Sequence, residues 1–365
     1  MIDIKRGYIT KELFSRPGIA GYLVKIGGKE EKCICYPDLT GAVDLGDEVI
    51  LNTTAMKLSL GSGGYHYIIA NLSIMSQELE PPGHIMKSRY TPMQHKVLSV
   101  EEEDSPYHKS LVNADSIDGI PVLVGTLHSM LAPLCLQLGE SKFKVAYIMT
   151  DGAALPIAFS NTVHWLKEND LLHGTVTIGD AFGGELEAVN VYSGLLAAKK
   201  VLEPDVIIVT MGPGIVGTGT KWGFTGIEQG DILNAVDTLN GIPVCVPRIS
   251  FADLRDRHKG LSHHTLTVLS RVCRSKAIVP LANMSELKLT HILEQIRLSK
   301  LFDRYDFTIE DANDTLHLMK DSGLKMTTMG RTIDEDAEFF LNLGATGIVA
   351  SKLIKGRKLN KLSLV

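Results

Sequence analysis

The greatest concentration of ionisable side chains lies at residues 248–265, which read Arg248-Ile-Ser-Phe-Ala-Asp253-Leu-Arg255-Asp-Arg257-His258-Lys-Gly-Leu-Ser262-His263-His264-Thr265. Arginine offers a planar fork of donors that fits carboxylate or phosphate. Histidine changes charge near neutral pH. The combination describes a site that grips an anion and moves a proton. Ser262 is placed to cap a helix whose apolar face takes in Leu266, Leu269, Val272 and Cys273. His263 and His264 then occupy its first turn, where the positive end of the helix dipole opposes protonation. A neutral imidazole serves as base or as metal ligand. His263 or His264 is therefore the expected acid or base, with Asp151 or Asp253 orienting it. The alternative chemistry is a divalent metal held by Asp253, His258 and either His263 or His264. Only one of the two adjacent histidines is expected to reach such an ion, because neighbours on a helix diverge by about 100°.

Three glycine-bearing segments follow apolar runs: Asp151-Gly152, then Asp180-Ala-Phe-Gly183-Gly184, then Gly212-Pro-Gly214-Ile-Val-Gly217-Thr218-Gly219-Thr220. Glycine permits tight turns and close approach of backbone N–H groups, and helix starts favour anions. The expected ligand-binding set is thus Gly183, Gly184, Gly212, Gly214, Gly217, Thr218, Gly219 and Thr220, with Arg248 and Arg255. Arg331, in Thr327-Thr-Met-Gly330-Arg331-Thr-Ile-Asp334-Glu335-Asp336, adds a bidentate clamp. Glu185 reads either as a charge at a helix start or as a ligand for a ribose or metal. Gly212 to Gly217 spells GxGxxG, but no helix starts inside it and no acidic residue ends a strand about twenty residues later, as a dinucleotide site requires. A Walker A loop, a GxSxG elbow and HExxH are all absent.

These segments need a scaffold, and its pattern changes along the chain. Residues 1–77 are short apolar runs broken by turn residues, with a hairpin signal at Gly27-Gly28. They predict a small β-barrel or sandwich. This stretch holds eight Lys/Arg and eight Asp/Glu with no interleaved basic and aromatic stripe, so a scaffold or self-assembly module, and hence a homo-oligomer, fits better than nucleic-acid binding. Residues 78–108, with Pro81-Pro82-Gly83 and an acidic run at 101–104, read as a connector. Residues 109–365 alternate strands with helices, predicting a mainly parallel, doubly wound, Rossmann-like α/β sheet. Strands are expected at 120–127, 144–150, 174–179, 205–211, 242–249, 276–280 and 325–329. Helices are expected at 156–169, 185–202, 227–239, throughout 286–321, and at 334–355. The loops after the strands should meet at the carboxyl edge of the sheet, where open α/β sheets bind ligands.

Several of these segments together resemble a bacterial family catalogued as domain of unknown function 3866. The matching elements are Gly83-His-Ile-Met-Lys with Arg89-Tyr-Thr-Pro, Thr150-Asp-Gly-Ala-Ala-Leu-Pro, Ala181-Phe-Gly-Gly-Glu-Leu-Glu-Ala, Gly212-Pro-Gly with Gly217-Thr-Gly-Thr, Arg248-Ile-Ser-Phe-Ala-Asp through Ser262-His-His-Thr, and Thr328-Met-Gly-Arg with Asp334-Glu-Asp. The resemblance spans nearly the whole chain and implies no activity, cofactor or catalytic residue.

Composition narrows the classes further. With 37 basic and 42 acidic residues the net charge is 37 − 42 = −5, unlike a protein that coats nucleic acid or an anionic membrane. No run approaches the ~18 uninterrupted apolar residues of a membrane span. The first residues, Met1-Ile-Asp-Ile-Lys-Arg-Gly, lack the apolar core of a signal peptide. The five cysteines form no paired CxxC and read as buried free thiols. The expectation is a cytoplasmic enzyme acting on an anionic small molecule, phosphorylated or nucleotide-like molecules included, with no nucleic-acid or membrane partner. A metal-dependent hydrolase and a non-enzymatic ligand-binding or assembly protein are the competing readings.

Overall fold

A computed structural model describes residues 1–59 and 63–362. The chain divides into two compact units, Met1–Lys96 and Val97–Val365. The division falls inside the stretch expected as a connector.

In the first unit, β1 (Ile4–Arg16), β2 (Ile19–Ile26), β3 (Lys29–Cys35), β4 (Glu48–Asn52) and β5 (Tyr65–Asn71) close into a barrel in the order β1-β2-β3-β5-β4. Closure removes exposed sheet edges. β1 is long enough to pair with both β2 and β4, and register shifts at Ile9/Lys11 and Glu12/Phe14 mark where it bends. The β2–β3 hairpin turns at Gly27 and Gly28, both at positive φ, as a tight two-residue turn demands. The interior is filled by Ile9, Val24, Ile26, Cys33, Cys35, Val49, Leu51 and Ile68.

The second unit is built on eight parallel strands: β6 (Pro121–Val124), β7 (Val145–Thr150), β8 (Gly174–Ile178), β9 (Leu186–Ala188), β10 (Val206–Met211), β11 (Ile242–Cys245), β14 (Ile278–Ala282) and β15 (Asp306–Glu310). A small antiparallel pair, β12 (Ile249–Ser250) and β13 (Gly260–Leu261), lies between β11 and β14 in the chain. Strand order across the sheet is β9-β8-β7-β10-β6-β11-β14-β15. Successive strand residues face opposite ways, so Val122, Ile148 and Val209 enter one core while Leu123, Tyr147 and Ile208 enter the other. Burial on both faces explains the unbroken apolar runs.

Helices α3 (Val191–Ala197), α4 (Glu228–Thr238) and α6 (Glu286–Leu298) cover the first face through Leu195, Leu233 and Ile292. The other face is covered by α1 (Leu131–Gly139), α2 (Asn161–Glu168), α7 (Asn313–Asp321) and α8 (Ala337–Ile354), through Leu134, Leu166, Met319 and Phe340. The sheet is therefore doubly wound. By length and composition alone α8 could cross a membrane, but 61% of it is buried and it packs on α1, as a core helix does.

Several expected elements differ. Leu186–Ala188 is an edge strand, and the helix expected from 185 begins only at Val191, where Asn190 caps it. The stretch 286–321 is not helical throughout, because β15 interrupts it with Phe307 and Thr308 buried. Residues 325–329 do not join the sheet: Thr327–Thr328 (β16) pairs only with Arg331–Thr332 (β17). The run 242–249 breaks at Pro247, which lacks an N–H for the ladder. The helix α1 carried no clear signal, since an almost wholly apolar segment has no period to detect.

Strand order fixes where ligands can enter. The chain leaves β6 and β7 toward β8, whereas it leaves β10 and β11 toward β14. Connections therefore part between β7 and β10, and again between β6 and β11, opening a crevice at each carboxyl edge.

Candidate functional site

The β6/β11 switch point carries the polar segment. The Val246 N–H extends the ladder to the Val124 carbonyl (2.9 Å) before Pro247 ends it. From Arg248 the chain runs out along β12, turns through Asp256–His258, and returns along β13 to Ser262. The return is tied by the Ser262 N–H on the Arg248 carbonyl (2.9 Å) and the Arg248 N–H on Thr265 Oγ1 (3.0 Å). This loop brings His258 back onto the first turn of α5 (His263–Thr267), which Ser262 caps through the His264 N–H.

Three imidazoles meet there. Ring centroids of His258 and His263 are 4.8 Å apart, those of His263 and His264 4.3 Å, and those of His258 and His264 5.2 Å. One ring nitrogen from each lies within 4.8 Å of the others. The expected divergence of His263 and His264 is thus corrected: their rings lie side by side. The 100° divergence describes Cα–Cβ directions, whereas rings at the start of a helix swing together beyond Cβ. Burial lowers the pKa of all three, aided at His258 by Arg248 and Arg255, at His263 by Arg257 and Arg248, and at His264 by His263 and Arg248. His258 and His264 fall to about 3. The cluster is neutral at physiological pH. His258 Nδ1 lies 2.8 Å from Ser262 Oγ, and a proton on Nδ1 leaves the lone pair on Nε2.

Beside the histidines is a charge network centred on Asp253. Arg255 grips its carboxylate through Nε (2.9 Å) and Nη2 (2.8 Å). Arg248 and Arg331 approach the same Oδ2 at 3.6 and 3.8 Å. Those longer distances pair charge without a hydrogen bond. The Arg255 hydrogen bonds hold Asp253 well below the usual carboxylate range. Arg331 is engaged mainly by Asp336, through Nε and Nη2 at 2.9 Å, and Ser250 Oγ lies 2.8 Å from both Asp336 oxygens. Asp253 and Arg331 are therefore occupied holding the arginines and β12 in place, and the converging ring nitrogens belong to His258, His263 and His264.

The glycine segment 212–224 forms the facing wall. The Thr218 N–H donates to the Gly223 carbonyl (2.8 Å), the Thr225 N–H donates to the Val216 carbonyl (2.9 Å), and Gly217 bridges Phe224. The segment is thus a small hairpin with an exposed tip at Gly219 and Thr220. Phe224 stacks on His264, centroids 4.0 Å apart and planes within 3°. A Cβ at Gly217 would sit 3.7 Å from His264, and one at Gly219 would sit 3.5 Å from Arg257. Gly212 has another role: a Cβ there would meet the Ala154 carbonyl at 2.5 Å. Gly214, at positive φ, is solvent-exposed with open space around it.

The structure therefore brings together His258, His263, His264, Arg248, Arg255, Gly217 and Gly219. Asp253 and Arg331 border the cluster through the arginines, Thr218 and Thr220 lie in the facing hairpin, and Asp151, Gly183, Gly184 and Glu185 lie elsewhere. Asp151 follows β7 directly and accepts the Asp180 N–H (2.9 Å). The Gly183 N–H is taken by Glu187 Oε1 (2.6 Å) and the Gly184 N–H by Thr177 Oγ1 (3.0 Å). Glu185 accepts the Thr175 N–H (3.0 Å) and pairs with Lys167. Because β9 runs parallel to β8, the chain must return to the amino edge before β9 starts, and it carries Gly183–Glu185 away from the crevice.

Four residues lay outside the expected set: Phe224, Arg257, Glu228 and Gln229. Gln229 Nε2 donates to the carbonyls of Val124 (2.7 Å) and Val246 (3.0 Å), clamping the ends of β6 and β11. Its neighbour Glu228 accepts from Thr150 Oγ1 (2.6 Å) at the β7/β10 opening, and burial raises its pKa to about 7. Both begin α4, a position where acidic and amide side chains are ordinary, so only the strand order distinguishes them.

Five buried polar atoms lie on segments around the β6/β11 switch point without a hydrogen-bond partner among the described residues: Thr126 Oγ1, Gln229 Oε1, Arg248 Nη2, His263 Nε2 and His264 Nδ1. Unpaired buried polar groups are costly, and such a gathering calls for a guest. A family model described as "Protein of unknown function (DUF3866)" matches residues 32–347 of this chain. No curated protein matches it.

Proposed function

The chain belongs to that family of unknown function, and since the description carries no activity, we propose a function from the site. The protein is a cytoplasmic enzyme that binds an anionic small molecule at the β6/β11 carboxyl edge and exchanges a proton with it through the clustered histidines. The observation that carries this reading is Arg248: a buried guanidinium whose Nη2 makes no hydrogen bond among the described residues, set beside three neutral imidazoles. A phosphate or carboxylate oxygen supplies the missing acceptor. A neutral imidazole beside the bound group supplies the base. Phosphorylated and nucleotide-like molecules are the first substrates to test. Five buried free thiols accord with a reducing compartment.

The test is thermal unfolding of the full chain against inorganic phosphate, sugar phosphates, nucleotides and simple carboxylates. A ligand at a hundred times its Kd stabilises by about 2.7 kcal/mol, several degrees for a protein of this size. The shift should vanish in Arg248→Met. A folded wild-type chain that responds to no anion would refute the reading.

A further inference from the structure

We propose that His258, His263 and His264 jointly bind one divalent transition-metal ion of the zinc class and leave one coordination position open to the anion. The inference rests on the anion reading of the same site and changes the histidines' part in it: a lone pair that holds an ion cannot also act as the base, so their role becomes ligation.

Three observations carry it. First, the ligand atoms converge: one nitrogen from each ring lies within 4.8 Å of the others. Zinc–nitrogen bonds of about 2.0–2.1 Å set tetrahedral ligand pairs ~3.4 Å apart, so rotations of the rings of order 1 Å close the set onto an ion. Second, His264 is only 6% exposed, and its Nδ1, like His263 Nε2, has no hydrogen-bond partner among the described residues. A buried nitrogen without a proton partner is what a metal would satisfy. Third, His258 Nδ1 lies 2.8 Å from Ser262 Oγ, an arrangement that, with the proton on Nδ1, leaves Nε2 to face an ion. Ligating histidines are characteristically oriented through such a bond to their second nitrogen. Imidazole ligands suit zinc, iron, copper or nickel better than magnesium or calcium. Three protein ligands with one place open is the pattern of a catalytic site, unlike the closed four-ligand pattern of a structural one.

Charge explains why the two guests belong together. Three neutral imidazoles do not offset a dication, and Arg248, Arg255 and Arg257 bring positive charge close to them. Asp253 answers part of that charge through Arg255. An anion shared by the ion and Arg248 answers the rest, so zinc and phosphate should strengthen each other's binding by the same factor.

The experiment titrates zinc chloride into chelator-stripped full-length protein, with and without inorganic phosphate, for the wild type and for His258→Ala, His263→Gln and His264→Ala. The expected result is one zinc per chain, weakened at least ~10-fold in each variant and strengthened by phosphate in the wild type. Because His258 and His264 are buried, cobalt(II) in the unaltered protein provides a second readout: intense visible absorption of a tetrahedral, nitrogen-ligated ion supports the site, and the weak spectrum of hydrated cobalt overturns it. Zinc retained equally by all three variants also overturns it. Phosphate binding by a chain that takes no zinc overturns the metal site and leaves the anion reading standing. Stoichiometric zinc indifferent to phosphate supports the three-histidine site and overturns the open position shared with the anion.

Discussion

Phe224 lies flat on His264, ring centroids 4.0 Å apart, and so couples the glycine-rich hairpin to the histidine cluster across the crevice. The hairpin is attached to β10 and the histidine to the segment after β11, so this single stack joins two walls of the site. Phe224→Leu keeps most of the buried volume and loses the stack, which is worth about 0.5–1.5 kcal/mol. The expected result is a loss of stability in that range in urea unfolding, with a larger loss of ligand response. A variant that binds phosphate as the wild type does would show that the stack does not order the site.

Asp253 should matter more for stability than for chemistry. Asp253→Asn leaves Arg248 and Arg255 without their counter-charge, at a cost of about 3 kcal/mol. The sign with pH follows from its depressed folded pKa. Its contribution is present above the ordinary value of 3.8 and is lost as pH falls through the lower folded value. Melting curves of wild type and variant should therefore stay a constant distance apart above about pH 5 and converge below about pH 4.

Glu228 should show the opposite dependence. Its ordinary value of 4.5 rises to about 7 in the folded chain because burial disfavours the charged form. Between those values the folded chain holds a proton that the unfolded chain has released, so the residue lowers stability as pH climbs through that window. Glu228→Gln removes the titration. The variant should gain on the wild type between pH 5 and pH 8, by at most about 3 kcal/mol from the size of the shift. A difference that does not change with pH would mean Glu228 is already ionised at pH 5.

Much of this was legible in the residues. Most barrel strands were legible from apolar runs ended by glycine or a polar turn, whereas β1, 13 residues long and largely exposed, showed only at Gly7–Thr10. The central parallel strands were legible because burial on both faces leaves no polar interruption. The Arg248–Thr265 segment stood out as a candidate by its density of ionisable side chains, and the structure gathers its three histidines. Strand order was not legible, and with it went the placement of the loops. Gly183 to Glu185 look like a ligand loop in sequence, yet the chain must run back along β8 to start a parallel β9. The meeting of His263 with His264 was missed for a different reason: helix periodicity places Cβ atoms, and ring positions depend on rotamers and on the loop that folds His258 over them.

Gln229 offers a test of that dependence on strand order. Gln229→Ala frees two buried carbonyls at the ends of β6 and β11, each unpaired group costing about 1–3 kcal/mol. Unfolding should show a loss of at least ~2 kcal/mol, and phosphate response should weaken because the two strand ends that shape the crevice are no longer clamped. Loss of stability with undiminished phosphate response would separate the clamp from the site.

All five cysteines are free and buried, Cys33 and Cys35 in the barrel, Cys135, Cys245 and Cys273 in the sheet unit. Burial also raises the Cys33 thiol to about 12 and the Cys245 thiol well above its ordinary value, so thiolate is scarce as well as shielded. The native chain should consequently resist alkylating reagents, and each thiol should become reactive only when its own surroundings open. Brief exposure to a maleimide followed by peptide mapping would then report the opening of the two units separately, with no label introduced by design. The chain carries its own chemical clock for each half.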